Sequence, residues 1–140
     1  MRFKRTLVLT FAVVMFTVFG GALASRTSST AAAPVAAASA YVGTWQTTWK
    51  AADGRTVSAP IIVKADMENA NALDGIVNVK GADGAMYGRL SPDGQTWSGN
   101  WWNQDGQKGT FKFTLRGKKN FNGSYTIDGT TGDFEWNGNK

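Results

Sequence analysis

The sequence predicts an all-β fold: an eight-stranded antiparallel up-and-down meander closing into a small barrel, with an open twisted meander as the alternative. Asp-Gly pairs recur at 53-54, 74-75, 83-84, 93-94, 105-106 and 128-129, and Asp-Gly between alternating hydrophobics is a strong short-range turn signal. Apolar and polar residues alternate with period two between the turns, and no segment shows a helical period. Closure is the economical arrangement for strands joined in order, because it removes both exposed sheet edges.

The chain opens on a targeting pattern. Arg2, Lys4 and Arg5 precede an apolar run over 6–20, and Ala22 and Ala24 supply the small-x-small pattern read by a signal peptidase. Residues 1–24 therefore read as a signal peptide cleaved after Ala24, which places the protein in the periplasm or the medium. Retention as an anchor is the alternative, since 6–24 approaches the roughly 20 apolar residues of a membrane span. With no Cys in the chain, lipid attachment is excluded. Three of the fifteen Lys and Arg residues lie before Ser25, so the mature chain carries a net charge of +2 rather than +5. Overall charge then gives no support to nucleic-acid binding. Residues 25–40, rich in Ala, Ser and Thr, read as a flexible tether.

The folded domain spans 41–140, with strands expected near 42–50, 57–64, 75–80, 84–90, 95–102, 108–116, 120–127 and 133–138. Asp74-Gly75 is the doubtful turn, since it falls at a strand start. The sixth strand is the cleanest: Lys108, Thr110, Lys112, Thr114 and Arg116 alternate with Gly109, Phe111, Phe113 and Leu115, wet on one face and buried on the other. The same parity turns Trp45, Trp49, Trp97, Trp101, Phe111, Phe113 and Trp136 into an aromatic core interleaved with glycines. Hairpin pairing through the 91–94 turn sets Leu90 opposite Gln95, Gly88 opposite Trp97 and Gly84 opposite Trp101. The next two turns set Trp101 opposite Gly109, Gly99 opposite Phe111 and Phe113 opposite Gly123. Rings facing glycines give a strongly curved sheet room for bulky side chains. So many rings predict a largely plugged interior, leaving room for a pocket at one mouth.

The absence of Cys and His excludes disulfide frameworks, thiol and imidazole chemistry and Cys/His zinc patterns. No Asp-x-Asp spacing supports a calcium loop, and no phosphate loop or dinucleotide fingerprint occurs. Asp66, Glu68, Asp133 and Glu135 are the carboxylates outside Asp-Gly turns, and nothing in the sequence sets two of them apart as acid and base. The expectation is a non-catalytic protein with no metal and no cofactor.

Two aromatics break the inward rule. Tyr87 and Trp102 fall on the outer parity of neighbouring strands with Arg89, Asn100 and Asn103 nearby, about 13 Å apart in the register above. Flat rings flanked by amides and a guanidinium form a candidate glycan platform; the structural alternative is that Trp102 covers the stem of its cross-strand neighbour Lys108. Lys108, Lys112, Arg116, Lys118 and Lys119 have no acid between Asp105 and Asp128 and form a basic strip. Such a strip reads either as a solvated face that blunts aggregation or as a docking strip for anionic envelope polymers or an acidic protein.

Gly43-Thr44-Trp45, opening the first strand after a tether, resembles the Gly-x-Trp that opens the first strand of lipocalins and related calycin barrels, and Thr96-Trp97-Ser98-Gly99 is similar to a strand of avidins. The resemblance implies an exported barrel that binds a small molecule at its open end. Residues 97–109 also look like a MORN repeat, a likeness attributable to shared hairpin physics. Three binding functions follow: a small-ligand barrel of calycin type, a glycan or envelope-polymer binder using Tyr87 and Trp102, and a protein-partner or inhibitor module.

Overall fold

The computed structural model describes residues 40–79 and 83–140, so the signal-peptide reading and nearly all of the tether lie outside the described residues. The strands are β1 (Gly43–Lys50), β2 (Thr56–Ala65), β3 (Ala72–Val77), β4 (Gly84–Leu90), β5 (Thr96–Asn103), β6 (Lys108–Leu115), β7 (Asn120–Tyr125) and β8 (Phe134–Asn139). Each pairs antiparallel with the next, and β8 returns to β1 through Trp49 opposite Trp136, so the sheet is a closed barrel. Among the described residues no helix is long and apolar enough to cross a membrane.

Up-and-down connectivity sorts the connections into two ends. Connections 51–55, 104–107 and 126–133, with residues 78, 79 and 83, lie at one end, called the mouth below. Connections 66–71, 91–95 and 116–119, together with Ala40 and Lys140, form the closed end. Alternation holds on the wall: Trp45, Ile61, Val63, Met86, Trp97, Phe111, Phe113, Phe121 and Trp136 are all buried inside it.

The predicted ring–glycine pairs of the later strands occur: Trp101 is opposite Gly109, Gly99 opposite Phe111, and Phe113 opposite Gly123. Three expectations are corrected. The β4–β5 register is displaced by two residues, with Leu90 opposite Trp97, Gly88 opposite Gly99 and Met86 opposite Trp101. Its cause lies in the turn. The Ser91 N–H bonds the Thr96 carbonyl at 2.8 Å, the Ser91 hydroxyl accepts from the Thr96 N–H, and the Asp93 carboxylate accepts from the Gln95 N–H, which draws Gln95 into the loop. β3 starts at Ala72 rather than 75, and Asp74-Gly75 is strand, with Gly75 opposite both Val63 and Met86. Ala72 and Leu73, which precede the expected strand, are fully buried. A Cβ at Gly75 would lie 2.9 Å from the Trp97 ring, so this glycine supplies room for an indole rather than a turn. Although Trp97 is not opposite Gly88, its Nε1 would stand 2.9 Å from a Cβ there.

The closed end is capped by its own residues. Tyr41, fully buried, donates its hydroxyl to the carbonyls of Gln95 (2.9 Å) and Phe113 (3.1 Å), tying the entry of β1 to the far wall. The Trp45 indole donates to the Tyr41 carbonyl at 2.6 Å. Lys140 places its ammonium 4.5 Å from the Trp45 ring centroid and donates to the carbonyls of Ala40 and Val42.

Two predictions follow from this packing. A Cβ at Gly99 meets the Tyr87 carbonyl and the Gly88 Cα, both backbone, so Gly99→Ala should cost roughly 3 kcal/mol, the upper range of overpacking. That corresponds to a Tm lower by about 10–20 °C. Gly54, in the left-handed region at φ 83° with open space around it, should tolerate Asn with a loss below about 1 kcal/mol. Calorimetry of the two variants checks the contrast.

Burial pushes the Tyr41 phenol well above its ordinary range, and burial followed by the charge of Asp53 moves Tyr125 the same way. The unfolded chain releases these protons near pH 10 while the fold retains them. Stability is therefore intact below about pH 10 and falls as pH rises beyond it, by about 1.4 kcal/mol per pH unit for a fully shifted tyrosine. In Tyr41→Phe the alkaline limb should flatten, with about 1–2 kcal/mol lost at neutral pH along with the two hydrogen bonds. Denaturant melts across the alkaline range measure both effects.

Candidate functional site: a ring-floored cavity at the mouth

The aromatic core fills only part of the lumen. From the closed end the rings run in contact: Tyr41 on Trp97 (5.8 Å between centroids), Trp97 edge-on to Phe111 (4.8 Å), and Phe113 stacked on Phe121 at 4.4 Å and 20°. Phe113 then meets Trp136 edge-on at 5.4 Å, and Trp136 meets Trp49 (4.9 Å) and Tyr125 (5.2 Å). Around and beyond that layer the interior positions are smaller, with Val57 on β2, Val77 on β3 and Gly84 on β4. A cavity of about 380 Å³ opens there.

Its floor and walls are apolar: Trp49, Val77, Met86, Trp101, Tyr125 and Trp136 line it. Trp101 is held to one side of this space. Its indole donates to the Thr126 carbonyl at 2.8 Å, with Nε1 3.0 Å from where a Cβ at Gly109 would stand. A Cβ at Gly109 would run into the same Thr126 carbonyl, so both the ring's position and the cavity depend on the glycine. Tyr125 donates its hydroxyl to the Lys50 carbonyl at 2.8 Å, while the Trp136 indole N–H is buried without a partner.

The rim is polar. Asp53, Arg55, Asn103, Asp105 and Gln107 line it from two of the connections. The Asp53 carboxylate accepts from both the backbone N–H and the Nε of Arg55, which holds its carboxyl below the usual carboxylate range. This is the one ion pair among the described residues. Those residues also bring together no group of three His, Cys, Asp or Glu able to hold a metal ion.

The sequence-predicted outer platform has the following geometry. Tyr87 is half-buried and directly opposite Asn100, Arg89 is exposed opposite Ser98, and Trp102 is 48% exposed opposite Ala85 on β4 and Lys108 on β6. The corrected register puts Tyr87 and Trp102 two residues apart rather than four, on a diagonal of about 7–8 Å. Asn103 leaves the platform: its side-chain amide bonds the Gln107 side chain at 3.1 Å and its oxygen accepts from the Gln107 N–H at 2.9 Å, so it builds the β5–β6 turn at the mouth. In the basic strip, Lys108 and Lys112 stand on the outer face of β6, and Arg116, Lys118 and Lys119 form the β6–β7 turn at the closed end, all exposed. The strip thus runs along the outer wall from Lys108, beside the mouth, to the closed end, and none of its residues lines the cavity.

Sequence parity identified the floor residues as interior without revealing a cavity between them. Parity states which side of the sheet a ring occupies, whereas the cavity depends on the direction in which Trp101 lies. The rim residues Asp53, Asp105 and Gln107 were read only as turn residues or not at all.

No protein-family model matches the chain, and no curated protein matches it. Solved structures do. A redesigned β-barrel shares 18% identity at a TM-score of 0.64, over 74% of this chain and 94% of that one. A second redesigned barrel, mFAP1 bound to DFHBI, shares 20% identity at a TM-score of 0.60, over 73% and 94%. A de novo designed fluorescence-activating barrel shares 15% identity at 0.55, over 73% and 93%. The chain is similar to these proteins in fold, an eight-stranded antiparallel barrel closed on itself.

Proposed function

We propose that the protein is an exported, non-catalytic barrel of calycin type that binds a small, largely apolar molecule at its mouth. The cavity carries this reading. Its volume of about 380 Å³ lies within the roughly 300–1,000 Å³ of small-molecule sites, and an apolar floor under a few polar rim groups is the usual composition of such sites. A barrel of this fold with DFHBI bound is a precedent for a ligand in the architecture. Support for export comes from the pattern over residues 1–24, and support for a non-catalytic role from the lack of His and Cys.

Trp102 favours a second reading. An indole 48% exposed, on a diagonal from Tyr87 with Arg89 and Asn100 beside it, has the stacking surface and donors of a glycan platform.

The neutral probe N-phenyl-1-naphthylamine distinguishes these sites. Mouth binding predicts a rise in Tm with the probe, since a ligand held only by the folded state stabilises it, together with altered tryptophan emission from the floor. Val57→Trp, which fills the cavity from its rim, should weaken the probe about tenfold or more, a loss of at least roughly 1.4 kcal/mol. Tyr87→Ala, outside the cavity lining, should leave the probe's affinity intact while weakening any binding of soluble envelope glycans. If the wild type shows no shift with the probe, the mouth reading fails.

A further inference from the structure

We infer that the outer wall over β4–β6 binds an acidic polysaccharide, with sugar rings at Trp102 and Tyr87 and carboxylates at Arg89 and Lys112. The inference rests on the glycan-platform reading of Trp102 above and joins the basic strip to that platform. Register places the parts. From the mouth, the first row across the wall is Ala85, Trp102 and Lys108, and the second is Tyr87, Asn100 and Thr110. The third is Arg89, Ser98 and Lys112. From Trp102 toward the closed end, β5 thus presents the short side chains of Asn100 and Ser98 between longer ones on β4 and β6. Those flanking strands are about 10 Å apart, so short side chains between long ones form a trough along β5.

Charge is unevenly distributed along this trough. Strands β4 to β7 carry no carboxylate and three cations, Arg89, Lys108 and Lys112, all exposed. At the mouth end Lys108 is offset by Asp128, which borders the same surface depression as Asn100 and Trp102, and Asp105 lies in the adjoining turn. Toward the closed end Lys112 and Arg89 are followed by Arg116, Lys118 and Lys119. The acid beside them, Asp93, is engaged by the Ser91 hydroxyl and the Gln95 N–H. Asp66 and Glu68 share that end but belong to the β2–β3 connection, where the Asp66 carboxylate accepts from two backbone N–H groups. On the flanks, Asp74 of β3 is opposite Tyr87 and Glu135 of β8 is opposite Ser124. The one ion pair among the described residues is that of Asp53 with Arg55, so the cations of the trough are unpaired there.

Protection of a sheet edge does not account for the strip, because β6 is paired on both sides in a closed barrel and has no edge to blunt. Shielding of the Lys108 stem does not account for Trp102, which remains 48% exposed opposite it. The spacing of the cations selects the polymer. Lys108, Lys112 and Arg116 recur about every 13 Å, with Thr110 and Thr114 between them, whereas a nucleic-acid strand carries a charge about every 3.4 Å. Hydroxyls and an amide between separated cations suit a chain whose carboxylates are separated by sugar hydroxyls. The flat face of an exposed indole suits its pyranose rings.

Polygalacturonate and its fully methyl-esterified form share one backbone and differ in charge, and titrating each at about pH 7, where the acid is ionised, tests the inference. The wild-type protein should bind the acid form about tenfold more tightly at low salt, and the ratio should shrink toward one as salt rises. In the double variant Lys112→Gln/Arg116→Gln the acid-to-ester ratio should fall about three- to tenfold. Trp102→Ala should weaken the acid form about three- to tenfold, with circular dichroism checking that both variants are folded. Polyphosphate, a polyanion without sugar rings, should compete poorly. Equal affinity for the two forms, or a ratio indifferent to salt or to the double variant, overturns the acidic-polysaccharide inference and leaves the glycan platform standing. Competition by polyphosphate as strong as by polygalacturonate, or an affinity unmoved by Trp102→Ala, overturns it as well. If neither form binds, both readings fail.

Discussion

The barrel depends on the fit of large rings over glycine backbone. Trp97 occupies the space that side chains at Gly75 and Gly88 would need, Phe121 lies on Gly138, and Phe113 on Gly123. Each ring thereby takes up volume on one strand that its neighbours have given up, and the sheet can curve tightly enough for eight strands to close. Edge-to-face ring pairs add about 0.5–1.5 kcal/mol each beyond area burial. The same fit fixes register. A slip of one residue along β5 turns Trp97 and Trp101 to solvent, and a slip of two sets Trp97 directly opposite Gly88 and leaves Leu90 facing Gln95.

The two ends of the lumen differ because their rings are anchored differently. At the closed end Tyr41 reaches across the lumen to the carbonyls of Gln95 and Phe113, and Trp45 lies under the Lys140 ammonium, so both fill space. Near the mouth Trp101 is drawn sideways by the Thr126 carbonyl onto Gly109 and leaves space. One indole hydrogen bond of 2.8 Å, together with one glycine, fixes where this ring sits beside the cavity. The proposed mouth site rests on this asymmetry: the stacked closed half supplies stability while the other half remains open.

How much of this is legible in the sequence varies with the kind of information each residue carries. The later hairpins were legible in full, because Lys108 to Arg116 alternate without exception and their short turns leave one register. β4–β5 was not. The hydrogen bonds of Ser91 and Asp93 add Gln95 to the loop, and period-two patterning is blind to a displacement of two. β3 was obscured by Asp74-Gly75, since Asp-Gly signals a turn by composition, and nothing local reveals that Trp97, more than twenty residues on, needs that glycine. Tyr87 and Trp102 were placed correctly on the outer face and incorrectly in separation, an error inherited from the register. The cavity was illegible because it is set by a rotamer and not by a face.

The Asp-Gly pairs show why a turn reading and a recognition reading of the same residues need not compete. A hairpin needs the glycine, which takes positive φ at Gly54, Gly106 and Gly129, and it needs a short polar residue before it, but it is indifferent to that residue's charge. In an up-and-down barrel alternate hairpins fall at opposite ends, so four of the six pairs end up around one opening. At one of them, Asp53, the carboxylate also serves its turn, accepting from the Arg55 N–H and Nε. The barrel's closure thus gathers residues dispersed across seventy-five positions around one opening, and two of them, Asp53 and Asp105, line the cavity itself.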